Sequence, residues 1–370
     1  MALATAGVLS TSFAQAGGTI NIGPDQSVSV GFGLRSSFSS IENAAPDGDG
    51  RSKDFSLDSV RLYMGASLNK YIKATFNTEK TGDNRVQVID GIAQFEPMPE
   101  FNVWMGRMLP PTDRSNLDGP YYLLAWSYPG LVSRYPGYAV GRDNGLLAWG
   151  NIDKKVVYSV GAFEGHNNQA GMSSEKDNLL YAGRVAINLL DPELAPAYYT
   201  GSTYYGAADI FTIGLVAQHQ TDGVGTAANK GDFNAYNIDV LYETKNTGSG
   251  SFTFEGAYYK YDTDDTVDVA GPADGIGNFG GIVQGKAYLA SAAYLFPQQV
   301  GMGMFQPYVR YEKFETDLPG DSSEPERTDI GVNYIISGPN AKLSLTYFDE
   351  DDDNGSDSYN GVIFGVQLQF

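Results

Sequence analysis

The sequence contains no cysteine, which excludes a small disulfide-bonded scaffold, a Cys-ligated zinc site and a catalytic thiol. It has only two histidines, His166 and His219, so a histidine-based catalytic triad has few possible forms. Basic residues are also scarce, because 24 Lys and Arg stand against 44 Asp and Glu, for a formal net charge of −20. Nucleic acid is therefore not expected as a partner, since its binding depends on clustered Lys and Arg.

Long apolar runs are missing as well. No run approaches the roughly 18 apolar residues that a transmembrane helix needs, and helical periodicity is nowhere sustained. The 25 tyrosines, 19 phenylalanines and 45 glycines are instead typical of strands and tight turns. Residues 1–16 are apolar and end in Ala14-Gln15-Ala16, which fits the small-x-small rule for signal-peptide cleavage. We expect residues 1–16 to be a signal peptide or its remnant and residues 17–370 to form a single exported domain.

Apolar and polar residues alternate with period 2 in segment after segment, separated by clusters of Gly, Asp, Asn and Pro. The last segment shows this well, because Val362, Phe364, Val366, Leu368 and Phe370 share one face. Such alternation fits a soluble sandwich with its apolar face inside, or a membrane barrel with its apolar face toward lipid. The alternation alone leaves both open.

The number of segments and the lengths of their connections favour the barrel. About sixteen segments can be counted, most near the roughly 9 to 11 residues that cross a bilayer when tilted. Long acidic connections alternate with short ones such as residues 69–70, 97–99 and 153–154; residues 191–207 are an exception, long and tyrosine-rich where a short turn is expected. We predict an all-β fold, a transmembrane antiparallel β-barrel of about 16 strands in the outer membrane of a Gram-negative bacterium.

The longest interruption, residues 109–143, is the third external connection, and its length indicates a function. The segments Gly106 to Arg114 (GRMLPPTDR) and Gly141 to Gly145 (GRDNG) at its two ends resemble the phosphate-selective porin O and P-like family of Gram-negative bacteria. This resemblance implies a sixteen-stranded, often trimeric channel whose long third loop folds into the lumen and constricts it. The implied partners are the lipid bilayer, lipopolysaccharide, small ions or solutes, and two further copies of the chain in a homotrimer.

The constriction is predicted to be arginine-rich. Its candidate residues are Arg107, Asp113, Arg114, Asp118, Arg134 and Arg142. Because arginine is always charged and its planar fork suits anions, this cluster predicts an anion-attracting constriction. The alternative is that Arg–Asp pairs fix the loop to the barrel wall. An acidic mouth would favour cations, and no lysine ladder of the kind found in the family's phosphate porins is visible.

Alternation also predicts a lumen wall of mixed charge. The candidate lumen-facing residues are Arg61, Lys73, Asp90, Glu96, Asp239, Glu255, Arg310 and Glu312. A passive porin for small hydrophilic solutes or ions is the predicted function, with anion preference left open, and without a cofactor, a metal site or enzymatic activity. Two alternatives stay open: a barrel that sheathes a periplasmic partner such as an electron-transfer cytochrome, and an outer-membrane esterase or phospholipase with His166 or His219 as base.

Overall fold

The computed structural model describes residues 17–80, 85–134, 141–165, 178–226, 229–266, 284–321, 323–351 and 358–370. Within these residues no helix is long and apolar enough to cross a membrane. The elements are β1 (Gly18–Asn21), β2 (Ser27–Ile41), β3 (Asp54–Ser67), β4 (Ile72–Lys80), β5 (Val86–Met98), β6 (Phe101–Met108), α1 (Arg114–Asp118), β7 (Asp143–Ile152), β8 (Val156–Phe163), β9 (Leu180–Asn188), β10 (Ile210–Thr226), β11 (Asn229–Glu243), β12 (Ser251–Asp262), β13 (Gly285–Leu295), β14 (Met304–Thr316), β15 (Glu326–Ser337), β16 (Ala341–Asp351) and β17 (Tyr359–Gln369).

Strands β2 to β17 form a closed barrel. Each strand pairs with the next along the chain, and β17 pairs back with β2, from Gly361 opposite Ile41 to Gln369 opposite Gly33. All ladders between these strands are antiparallel, so the predicted barrel of about sixteen strands is confirmed. Strand β1 is an addition that the sequence analysis does not predict, and it pairs with the first four residues of β2.

The two faces of the barrel are arranged in the opposite sense to those of a soluble protein. In β11, Tyr236 and Ile238 point outward and are 54% and 46% exposed, whereas Asn237 and Asp239 point inward and are 5% and 1% exposed. The same arrangement recurs around the barrel, with large apolar side chains on the outer surface and polar side chains inside. An apolar outer band and a polar interior are what a barrel surrounded by lipid requires.

The connections at the two ends of the barrel differ in length. At one end, tight turns join the strands: Asp153 and Lys154 both adopt positive φ, 53° and 60°, as a two-residue hairpin turn requires. Two long connections fold into the lumen. The constriction loop, between β6 and β7, is described over residues 109–134 and 141–142, and the inserted turn, residues 189–209, lies between β9 and β10 on the side of the short turns.

Candidate functional site

The constriction loop is held to one side of the barrel through its own backbone. Backbone carbonyls of an irregular segment inside a barrel need hydrogen-bond donors, and side chains of five adjacent strands, β14 to β17 and β2, supply them. The donor pairs are Gln367 to Tyr121 O (2.9 Å), Lys342 to Leu123 O (2.8 Å), Asn333 to Leu124 O (2.9 Å), Arg310 to Ser127 O (2.7 Å) and Arg35 to Trp126 O (2.5 Å). The loop therefore covers this half of the lumen wall.

Arg114 joins the constriction loop to the inserted turn. Its side chain is 1% exposed, and its two terminal nitrogens each donate to the Glu193 carboxylate at 2.7 Å. Tyr204 donates its hydroxyl to the same carboxylate at 2.6 Å, and Asp239 of β11 lies 3.5 Å from Arg114 Nε. Burial alone would raise the pKa of Glu193, but the Arg114 guanidinium outweighs it and holds that pKa below its usual value. The geometry thus favours loop fixation for Arg114 over a role in the open pore.

Two further contacts bring the inserted turn against the constriction loop. Tyr198 donates its hydroxyl to Leu109 O at 2.8 Å, and Ser202 donates to Asp118 Oδ2. Burial and the neighbouring Glu255 carboxylate raise the pKa of Asp118 well above its usual range. The sequence reasoning missed this insertion, and the only signal was the unexpected length and tyrosine content of residues 191–207.

Asp113 and Arg134 also lie in the contact between the loop and the wall. Asp113 is fully buried and accepts hydrogen bonds from Ser133 (3.0 Å) and Tyr259 (2.8 Å). Burial raises the pKa of Asp113 to about 6, although these hydrogen bonds act in the opposite direction. The Arg134 guanidinium stacks on Phe314 of β14, 4.3 Å from the ring centroid. Both side chains pack the loop onto the barrel.

A cavity of ≈ 400 Å³ lies between the two inserted segments and the wall formed by β3 to β7. Its lining contains six charged side chains of balanced sign, Arg61, Lys73 and Arg142 against Asp90, Glu96 and Asp118. Arg142 is the one predicted constriction arginine in this described lining. Arg107 instead donates to Asn144 Oδ1 (3.1 Å) and Val88 O (3.0 Å).

The two wall carboxylates of the cavity are each covered by two donors. Glu96 accepts from Lys73 (2.6 Å) and from Trp104 Nε1 (3.0 Å). Asp90 accepts from Asn77 Nδ2 (2.8 Å) and from Arg142 Nε (3.3 Å). Because two of these donors are the cationic side chains of Lys73 and Arg142, each acid and its partner weaken the potential that the other presents to the cavity.

The remaining predicted lumen residues, Asp239, Glu255, Arg310 and Glu312, point inward but are buried and do not line the described cavity. Arg310 pairs with Asp329 at 2.6 Å, and Asp239 pairs with Arg184. These residues fix the interior rather than bound open space. Alternation predicts which way a side chain points, but it carries no information on what covers it.

The described residues offer little for metal binding or for histidine chemistry. They contain no group of three or more His, Asp or Glu side chains able to hold a metal ion. His219 lies on the outer face of β10, where its ring nitrogens contact Asn234 (2.9 Å) and Thr221 (3.2 Å). His166 and residues 1–16 fall outside the described residues.

The closed barrel, its apolar outer face and its constricted polar lumen define a membrane barrel of the porin type. The sequence matches the family described as phosphate-selective porin O and P over residues 28–370, and the chain belongs to that family.

Solved structures of similar fold include an anion-selective porin from Comamonas acidovorans, with 15% identity, a TM-score of 0.62, and coverage of 94% of this chain and 100% of that chain. OmpF of Salmonella typhi in complex with daunomycin shares 11% identity, with a TM-score of 0.63 and coverage of 95% and 100%. A trimer form of the Vibrio cholerae outer membrane protein OmpT shares 12%, with a TM-score of 0.54 and coverage of 94% and 100%. At these identities the likeness concerns the fold. No curated protein matches the sequence.

Proposed function

We propose that the protein is a porin of the Gram-negative outer membrane, through which small hydrophilic solutes and ions diffuse passively, and that residues 1–16 are a signal peptide or its remnant. The observation that carries this proposal is the polar cavity beside the constriction loop, inside a barrel whose outer face is apolar. Membership of the porin O and P family supports it. Channel function requires no cofactor, because solutes move down their own gradients.

The geometry supports a channel better than the two alternatives. A sheath for a periplasmic protein needs a wide lumen, whereas here the constriction loop and the inserted turn lie inside the barrel and are joined by the ion pair of Arg114 and Glu193. An esterase needs a base and a nucleophile beside a substrate pocket, whereas His219 and the Thr221 hydroxyl it contacts lie on the exposed outer face and do not line the described cavity. His166, the other candidate base, lies outside the described residues.

We further propose a weak preference for anions. Lys73 pairs with Glu96 and Arg142 pairs with Asp90, so these charges largely cancel. Burial favours the neutral form of Asp118, which leaves three cationic side chains against two carboxylates in the lining. A low-dielectric wall with little screening makes such local charges act strongly on a passing ion. The fold neighbour from Comamonas acidovorans is itself described as anion-selective.

A homotrimer is the proposed assembly, since one fold neighbour is described in a trimer form. The test is electrophoresis without boiling, where a trimer migrates near three times the monomer mass and a heated sample migrates as the monomer. A single band at monomer mass in both samples, supported by light scattering in detergent, would contradict it.

The experiment that tests both the channel and its selectivity is the reversal potential of the purified protein in a planar bilayer under a KCl gradient. We expect a small anion preference that Arg142→Gln reduces, because Arg142 lines the cavity. Arg134→Gln is the matched control, since Arg134 stacks on Phe314 outside the cavity lining, and it should leave the reversal potential unchanged. Absence of conductance would reject the channel, and cation preference would reject the selectivity alone.

A further inference from the structure

Four side chains lining the cavity each carry a buried atom without a hydrogen-bond partner. Two are donors, Arg61 Nη2 and Trp149 Nε1, and two are acceptors, Asn77 Oδ1 and Asp118 Oδ1. An unpaired buried polar group is unfavourable, and in native proteins it is rare enough to require an explanation. A group that both donates and accepts would satisfy both kinds of atom if the side chains turned toward the cavity.

The same cavity has an aromatic side. Trp104 packs against Trp149 with ring centroids 5.6 Å apart, and against Tyr199 of the inserted turn with centroids 6.0 Å apart. All three side chains line the cavity. Aromatic side chains offer large apolar faces, against which the C–H faces of a compact solute ring pack favourably. The site therefore combines an apolar surface with polar atoms, as small-molecule sites do.

Neither an anion nor a cation would satisfy all of these unpaired atoms. An anion would satisfy the donors and leave the Asn77 acceptor unpaired, whereas a cation would leave the donors of Arg61 and Trp149 unpaired. A hydroxyl group donates and accepts at once, so several hydroxyls on one ring can satisfy both kinds. The volume of ≈ 400 Å³ falls within the range, roughly 300 to 1,000 Å³, of sites for small organic ligands.

We infer that this cavity is a binding site for a neutral polyhydroxylated solute of the size of a mono- or disaccharide, held between the aromatic cluster and the polar wall. The inference rests on the proposed channel function and names a solute class for it. Because the four unpaired atoms are buried, binding requires side-chain adjustments at Arg61, Asn77, Asp118 and Trp149, of a kind common when a ligand binds.

The test is the KCl conductance of single channels titrated with maltose. We expect a saturable, concentration-dependent block. Polyethylene glycol of the same hydrodynamic radius, which has ether acceptors but almost no donors, should reduce the conductance only in proportion to solution conductivity. Trp149→Phe, which keeps a ring and removes the Nε1–H donor, should raise the half-blocking concentration about fivefold, and Tyr199→Leu should raise it about tenfold.

Trp126→Phe is the matched control, because Trp126 packs over Arg35 at 4.0 Å in the other half of the lumen and does not line the cavity. A heat-modifiable band and unchanged KCl conductance verify that each variant is folded. Normal conductance without a maltose block, a block matched by polyethylene glycol, or an equal loss in Trp126→Phe would overturn the inference and leave the channel function intact. Absence of conductance in the unmodified protein would instead reject the channel function.

Discussion

At the scale of single residues, Arg114 provides a test of whether a lumen arginine fixes the constriction loop or selects ions. Replacing it with Gln leaves the partly buried Glu193 without its ion pair, and breaking a buried pair costs up to about 3–5 kcal/mol. We expect a lower unfolding temperature in detergent and larger current fluctuations, because the constriction loop and the inserted turn lose their main connection. Glu193→Gln should reproduce both effects. A changed reversal potential in Arg114→Gln that Glu193→Gln does not share would instead assign Arg114 to ion selection.

Asp113 gives a prediction about pH. Burial raises its folded-state pKa to about 6, above its unfolded value near 3.8, so the folded protein holds this proton more tightly. The resulting stability is fully present below about pH 4 and is lost as pH rises through about 6. The free energy of unfolding should therefore fall less steeply between pH 4 and pH 6 in Asp113→Asn than in the unmodified protein. Equal slopes in matched urea titrations would contradict this assignment.

The four arginines in or beside the constriction loop show how much of the site can be predicted from the sequence. The sequence places Arg107, Arg114, Arg134 and Arg142 in or beside one loop, yet only Arg142 lines the described cavity. The partners of the others, such as Glu193 and Phe314, lie far away in sequence and belong to segments whose placement depends on the closed barrel. The local sequence pattern determines which way a side chain points, whereas the burial of that side chain depends on contacts with distant segments.

At the scale of elements, the strands were predicted well because successive side chains of a strand face lipid and lumen in turn. The sequence therefore alternates between apolar and polar residues with period 2. The predicted final segment, with Val362 to Phe370 on one face, corresponds to β17. Strand β1 has only four residues, all of them exposed, so its sequence shows no alternation. The inserted turn has no periodicity either, and its position follows from contacts with the constriction loop.

The inserted turn can be removed without breaking the barrel ladder. Its ends already meet, because Asp191 N donates to Asp209 O at 2.8 Å. Replacing residues 192–208 with a two-residue Asn-Gly turn should therefore preserve the heat-modifiable barrel and raise the single-channel conductance, since the turn bounds the cavity. Glu193→Gln serves as the control that loosens the turn without removing it. Unchanged conductance in the deletion would show that the turn does not limit the pore.

At the scale of the whole molecule, the apolar outer face and the polar interior determine that the barrel is stable in lipid. Ile238 and Asn237 are neighbours on β11, but Ile238 points outward and Asn237 inward. An arginine on the lipid face of a barrel costs up to about 2–4 kcal/mol depending on its depth, whereas a lumen position keeps its charge in water or near polar partners. Ile238→Arg should therefore reduce folding into lipid vesicles.

The control for this prediction is Ile238→Leu, which keeps the apolar surface and should fold into vesicles like the unmodified protein. The measurement is the fraction of heat-modifiable protein after refolding, titrated with urea. If the apolar outer face instead packed against another protein in water, the unmodified chain would be recovered without detergent, and Ile238→Arg would increase its solubility rather than block its insertion. That result would overturn the membrane placement, because the same outer residues cannot be stable against both lipid and water.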